Sequence, residues 1–280
     1  MSRPPAAVER WQGSASDFHG RDVPPIDAVR LWWFEVQRPA LVLGSTQPDD
    51  VVDRGAAERA GVEVVRRRSG GGAVLLVPGD VTWVDVLLPR TDPRWRNDVG
   101  RSFEWLGVAW AGALASLGLE LPDLSVHRGG LARTSLSPLV CFAGLGPGEV
   151  TVGGRKLVGI SQRRTRRHAR FQCALLHRWD PDRLVELLAL APEQRSGASR
   201  ALADVAVGTA ALGGSADRVV AGPASGEVVR ALAAAVAPPA GARRSPARPA
   251  WRSPRAAAAP PSAVDPRRTH VPACQRKDLE

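Results

Sequence analysis

Two consecutive glycines, Gly153 and Gly154, separate the run Glu149-Val150-Thr151-Val152 from Lys156-Leu157-Val158-Gly159. Apolar, β-branched runs this close together can pair only as a hairpin, because a parallel pair needs a crossover of a dozen or more residues. Glycine also supplies the positive φ that so tight a turn demands. Other short apolar runs, at 40–44, 62–65, 81–88 and near 171–176, are bounded by Gly, Asp and Pro and read as further strands. Helices are expected at 49–60, at 102–117 and, closing the domain, at 182–190. In the second of these, Phe103, Leu106, Trp110, Leu114 and Leu117 recur at helical spacing. The stretch 119–139 reads as loop. Locally paired strands interleaved with helices predict an α+β domain with a mixed, largely antiparallel sheet and packed helices.

The 280 residues, 44% of them hydrophobic, suffice for one full core. The main domain is expected at 1–215 and a terminal helix at 216–237. Residues 238–280 read as a disordered, basic tail rich in Pro, Ala and Arg, which holds 9 of the 24 prolines and little that could offset the entropy of ordering it. That tail carries 9 basic against 3 acidic residues and so accounts for most of the formal charge of +10. Without aromatic interleaving or a helix-turn-helix pattern, the charge does not imply a nucleic-acid partner. No window approaches the ~18 uninterrupted apolar residues of a membrane span, and the N-terminus has no secretory pattern, so a cytoplasmic location and no membrane partner are expected. Three cysteines, Cys141, Cys173 and Cys274, show no C-x-x-C spacing, which points away from disulfides and metal sites.

Among 38 basic residues only Lys156 and Lys277 are lysines. A chain that uses arginine almost everywhere keeps an ammonium at Lys156, where the difference in size, hydration and pKa mobility would matter if the group serves a site; chance is the competing reading. The segment Arg66-Arg67-Arg68-Ser69-Gly70-Gly71-Gly72-Ala73-Val74 lies between two strands. Three glycines there leave backbone amides bare, able to approach a carboxylate or phosphate closely. Alone, such a turn is more often a flexible loop. In Gly154-Arg155-Lys156 the lysine leaves the hairpin turn at the start of a strand, from which its ammonium could stabilise charge developing on a carbonyl or phosphate.

These segments carry a family resemblance. Arg67-Arg68-Ser69-Gly70-Gly71-Gly72-Ala73-Val74 resembles the R-R-x-S-G-G-G-A-V loop of lipoate-protein ligases. Gly154 to Gln162 resembles their G-x-K-x-x-G-x-x-Q segment, and Leu43-Gly44-Ser45-Thr46-Gln47 their L-G-x-x-Q. Three motifs in order over about 41–164 are far more specific than any one of them. The resemblance implies the catalytic fold of the biotin/lipoate protein ligase superfamily. It implies a substrate-binding set of Arg68, Ser69, Gly70, Gly71, Gly72, Ala73, Gly159 and Ser161, and contact of Lys156 with an acyl carbonyl or acyl-adenylate. Lipoate or octanoate would be the acyl group, and the partners would be the lipoyl carrier domains of 2-oxoacid dehydrogenases or the glycine-cleavage H protein.

Within that superfamily the branch turns on Cys141. Cys141-Phe142, Glu149 and Gly154-Arg155-Lys156 resemble the C-F…E…G-R-K of cysteine-dependent octanoyltransferases, with fifteen residues from cysteine to lysine in both. Gly159-Ile160-Ser161-Gln162-Arg163-Arg164 resembles the G-I-S-Q-R-R of lipoyl amidotransferases. A thiol near an ammonium and bare amides could act as a nucleophile toward a thioester, although small buried cysteines are commonly inert. An ATP-dependent ligase forming an acyl-adenylate, with ATP and Mg, remains the alternative, and a non-catalytic lipoyl-protein binding module a third. Leu75-Leu76-Val77 stands where ligases carry a His-Asp pair, which tilts the reading toward thioester transfer. Cys173, in an apolar strand pattern, is read as core. The five arginines among 163–170 are read either as a solvated face or as a dock for an acidic carrier domain. His19 and His127 receive no role.

Overall fold

The computed structural model describes residues 5–119, 121–212 and 223–237. The expected tail at 238–280, the start of the expected terminal helix, Cys274 and Lys277 lie outside them. In chain order the elements are β1 (Ala7–Gly13), α1 (Ala15–Gly20), β2 (Arg30–Val36), β3 (Ala40–Leu43), α2 (Arg54–Arg59), β4 (Glu63–Arg66), β5 (Val74–Leu76), β6 (Val81–Pro89) and α3 (Glu104–Ala115). There follow β7 (Ser125–Val126), β8 (Val150–Val152), β9 (Arg155–Arg164), β10 (His168–Leu176), α4 (Pro181–Glu186), α5 (Pro192–Ala203) and α6 (Ser225–Ala235).

Seven strands form one sheet in the order β1-β2-β6-β10-β9-β8-β7, antiparallel at every step except β1 with β2. A second sheet, β4-β3-β5, has β3 in the middle, parallel to β4 and antiparallel to β5. The mixed, largely antiparallel α+β expectation holds, and the β8–β9 hairpin turns where expected, with φ of +55° at Gly153 and +76° at Gly154.

The large sheet is covered on both faces, so the two-residue period of its strands sorts side chains into two layers. Val84, Val86 and Leu88 of β6 and Phe171, Cys173 and Leu175 of β10 pack with Leu106, Trp110 and Leu114 of α3 and Leu232 of α6. On the other face, Trp83 and Leu87 of β6 meet Phe18 of α1, Phe34 of β2 and the small sheet. Burying the leucine and phenylalanine side chains of this core is worth about 1.5–3 kcal/mol each.

The structure departs from the sequence reading in four places. The helix expected at 49–60 is a 3-10 turn, Asp49–Val51, followed by α2, which Asp53 caps by accepting from the Ala56 amide at 2.8 Å. Between them Val52 bridges Leu188, and Asp53 N donates to Leu187 O at 3.0 Å. The same clip stops α4 at Glu186, short of the expected 190. The domain also begins earlier than its first obvious run, because β1, α1 and β2 precede Ala40, and α5 occupies a stretch whose only buried side chains are Ala198 and Leu202. So polar a helix leaves little periodic signal.

Candidate functional site

Because β4 and β5 flank β3 on opposite sides, the chain joining them must pass across the end of β3. That connection is the glycine segment, and it crosses directly over Gly44. A Cβ on Gly44 would lie 1.8 Å from the Gly71 carbonyl oxygen, and one on Gly72 would lie 2.7 Å from Cys141 N, so neither position admits a side chain. Gly71 has φ +102°. The arch is held from below by Arg67, which is 4% exposed and donates to the carbonyls of Gly70 and Gly72, each at 2.8 Å, and of Val42 at 3.1 Å. The strand alternation continues past β4, turning Arg67 inward and leaving Arg66 and Arg68 exposed. Arg68, the arginine that the motif match favoured, pairs with Asp22 at 2.9 Å on the surface.

The arch is stitched to the chain carrying Cys141. Ala73 N donates to Leu139 O at 2.8 Å, and Cys141 N donates to Ala73 O at 2.9 Å. Gln47 closes the same seam. Its Oε1 accepts from Gly44 N at 2.9 Å, and its Nε2 donates to the carbonyls of Pro138 at 2.8 Å and Leu139 at 3.1 Å. Cys141 opens a 3-10 turn, Cys141–Ala143, and a Cβ on Gly71 would sit 3.6 Å from its Sγ. The thiol therefore lies alongside the arch. Among the described residues the Gly71 and Gly72 amides donate to no acceptor.

Lys156 reaches the backbone of the Cys141 turn and differs from the expectation. Its Nζ pairs with Glu149 Oε2 at 2.7 Å and donates to the carbonyls of Cys141 at 3.1 Å and Gly144 at 3.0 Å. An ammonium has three donors, and three acceptors occupy them. Lys156 is 3% exposed, with its Nζ 4.9 Å from the centre of the Phe142 ring. It grips the turn that carries the thiol rather than a position over the glycine arch. Glu149 completes the unit, accepting from Gly146 N at 2.6 Å and from Ile160 N at 3.0 Å. The lysine and the glycine segment therefore both reach Cys141, one holding its carbonyl and the other flanking its thiol, whereas the expected contact of the ammonium with an acyl group is replaced by its bonds to Glu149 and two carbonyls.

Beside Cys141 a cavity of about 440 Å³, counted to its open mouth, runs between the two sheets. Its walls are mostly apolar, with Val42, Val74, Leu76, Trp83 and Phe142, and Gly159 leaves room in the floor. One polar chain crosses it. Ser69 Oγ lies 3.1 Å from Ser161 Oγ and donates to Gln172 Oε1 at 2.8 Å, while Gln172 Nε2 is 3.0 Å from His19 Nδ1. His19, given no role from the sequence, lines this cavity against Trp83, with ring centroids 4.5 Å apart. Burial above all, then the charges of Arg170 and Arg67, lowers its pKa to about 3, so the imidazole is neutral. Its partner is 153 residues away in sequence, a separation that no local pattern reveals.

Cys173 is 1% exposed, and burial raises the pKa of its thiol, in keeping with a core residue. The arginine run divides. Arg170 is buried, pairing with Asp85 at 2.5 Å and donating to the carbonyls of Phe18 and Arg21, each at 2.7 Å. Arg164 donates to the carbonyls of Arg96 and Asn97 and covers the Trp95 ring. Arg166 and Arg167 are exposed and Arg163 half-buried, so the expected basic face is narrower than its sequence. Among the described residues no cluster of His, Cys, Asp and Glu could hold a metal, and no helix is long and apolar enough to cross a membrane.

Comparison with known proteins agrees with this architecture. Octanoyltransferase LipM of Moorella thermoacetica is 33% identical over 127 residues, 45% of each chain. That of Carboxydothermus hydrogenoformans is 30% identical over 159 residues, 56% of each. The chain thus spans about half the length of the curated relatives it matches. Among solved structures, a bi-partite lipoate protein ligase from Thermoplasma acidophilum, described together with its E2 lipoyl domain, superposes with a TM-score of 0.61 at 16% identity, covering 82% of this chain and 83% of that one. A lipoate-protein ligase A bound with ATP gives 0.54 at 17%, over 82% and 83%. Both likenesses concern the fold. The lipoyl protein ligase A/B catalytic domain family matches residues 17–220, well over half of the sequence, and the chain belongs to that family.

Proposed function

We propose that this protein transfers an octanoyl or lipoyl group to the ε-amino group of a lysine on a lipoyl carrier domain or on the glycine-cleavage H protein, through a thioester on Cys141. The observation that carries the reading is the position of the thiol, beside Gly71 at the wall of a cavity whose mostly apolar lining suits a fatty acyl chain. The Cys141 thiolate attacks the carbonyl of an incoming acyl thioester, the bond to the donor sulfur breaks, and the donor leaves as a thiol with the proton. The acceptor amine then attacks the acyl-enzyme. An amide forms, the bond to Cys141 Sγ breaks, and the amine's proton returns to the thiolate.

In this scheme the free Gly71 and Gly72 amides stabilise negative charge on the tetrahedral oxygen. Lys156 is a positioning residue that fixes the Cys141 turn through its carbonyl. The Ser69–Gln172–His19 chain orients the acyl carbonyl or a polar end of the chain. An acidic carrier would dock near Arg163, Arg166 and Arg167, where charge speeds encounter more than it adds affinity.

Incubation with an octanoyl thioester, followed by intact-mass and peptide analysis, tests the reading. An octanoyl adduct on Cys141 that passes to the lysine of an added lipoyl domain is the expected result. Product formed only from free octanoate with ATP and Mg, and undiminished in Cys141→Ala, would establish the adenylate route instead. Carrier binding without transfer from any donor would leave only a binding module.

A further inference from the structure

His19 holds a hydrogen-bonding atom that no described residue engages. The side chain is 7% exposed, lies against Trp83 and lines the cavity, and its Nε2 is buried without a partner among the described residues. The ring is firmly placed. Arg170 donates to the carbonyls of Phe18 and Arg21, on either side of His19, at 2.7 Å each.

The hydrogens of the polar chain fix the form of the imidazole. Ser69 has one hydroxyl hydrogen, which goes to Gln172 Oε1, so in the contact between Ser69 and Ser161 it is Ser161 that donates. With its oxygen toward Ser69, the Gln172 amide presents its NH2 to His19, and Nδ1 accepts. Burial, then the charges of Arg170 and Arg67, keep the ring neutral. A neutral imidazole that accepts at Nδ1 carries its hydrogen on Nε2. The donors therefore run one way, from Ser161 through Ser69 and Gln172 to His19, each bond polarising the next. The line ends on a buried N–H, a costly group to leave unpaired and a rare one in folded chains.

A second such atom belongs to the same lining: Arg67 Nε is also buried without an acceptor among the described residues. Both atoms are donors in the field of buried guanidinium groups, so their complement is an acceptor with partial negative charge. A carbonyl oxygen fits best. It brings no hydrogen that must be satisfied among apolar walls, as a hydroxyl would, and it avoids the desolvation of a carboxylate. The thioester carbonyl is not that group, because it belongs with the Gly71 and Gly72 amides at Cys141. Phe142, next to Cys141, packs at Gly159, which pairs with Ala174, whereas His19 is bonded to Gln172, ~6–7 Å farther along β10.

We propose that the cavity is a subsite for a medium-length acyl chain carrying a keto oxygen, and that His19 selects such a chain over a plain alkyl chain by donating from Nε2. The proposal rests on the thioester reading above and narrows its acyl group.

The test measures acylation of Cys141 in the full chain by N-acetylcysteamine thioesters of octanoate and of three analogues with a keto oxygen near the thioester, at mid-chain or next to the terminal methyl. Intact mass gives the second-order rate constant for each. One keto analogue should exceed octanoyl at least about fivefold, the size of one buried hydrogen bond. His19→Phe keeps a ring against Trp83 but removes the N–H, and should bring that ratio to one or below. Nitrogen-15 spectra of histidine-labelled wild type need no variant: His19 should carry its hydrogen on Nε2, and that signal should move on loading with the preferred keto chain and not with octanoyl. Equal rates for octanoyl and every analogue, an unchanged ratio in His19→Phe, or a hydrogen on Nδ1 overturns the keto subsite while leaving the thioester mechanism standing. Failure of every thioester to acylate Cys141 overturns both.

Discussion

Replacing Lys156 by methionine keeps most of the stem and removes the ammonium, leaving Glu149 buried without its cation and the Cys141 and Gly144 carbonyls without a donor. With both side chains no more than 6% exposed, this is a buried pair, for which loss of one partner costs about 3–5 kcal/mol. An exposed pair would cost ~0–1 kcal/mol. For a domain of this size each 1 kcal/mol moves the melting temperature by about 2–4 °C, so Lys156→Met should melt on the order of 6–20 °C lower. Urea denaturation of the wild type, Lys156→Met, Glu149→Gln and the double variant gives the cycle. The double variant should recover part of the loss, with a coupling of about 1–3 kcal/mol, because a neutral amide no longer leaves a buried charge. A single-variant loss below ~1 kcal/mol, or strictly additive effects, would refute the account of Lys156 as the clamp beneath the Cys141 turn.

Cys141→Ser should lose the octanoyl adduct, whereas Cys173→Ser should keep it at the cost of a buried hydroxyl; peptide mass mapping reads both. Gly44→Ala places a methyl group against the Gly71 carbonyl and should either unfold the protein or displace the arch, abolishing acylation of Cys141 even where circular dichroism remains native. His19 binds its proton near pH 3 in the folded chain but near 6.5 when unfolded. Between those values only the unfolded chain takes up the proton, so stability is full above 6.5 and declines as pH falls, by up to ~1.4 kcal/mol per pH unit. Urea midpoints at about pH 7 and pH 5 should therefore differ less in His19→Gln than in the wild type, and an unchanged difference would contradict the assignment. His177 and His168, also lowered by burial, keep the variant's slope from vanishing.

What could be read from the sequence was whatever close neighbours enforce. The Gly153-Gly154 turn, the β-branched runs and the apolar face of α3 each carry their own signal within a few residues. The motif segments were visible because backbone crowding at Gly44 and Gly72 excludes every side chain. Long-range partners were not legible. Arg67 rather than Arg68 lies beneath the arch because strand alternation continues one residue past β4, and three consecutive arginines hide that phase. The Lys156 ammonium reads as a ligand contact because a motif that contains Glu149 does not show that this carboxylate, seven residues earlier across a hairpin, folds back onto it. His19, Gln172 and Ser69 come from three distant segments that meet only once the sheets are stacked.

The alternation along β10 sends Cys173 into the layer beneath α3, while Gln172 and Ala174 face the acyl slot. The two sulfhydryls thereby differ in access, Cys173 being 1% exposed and Cys141, on its own 3-10 turn, partly open at the cavity. An alkylating reagent shaped like a short fatty chain should discriminate between these two without mutagenesis, giving a native attachment point for a fluorophore or spin label at the site where acyl groups would load.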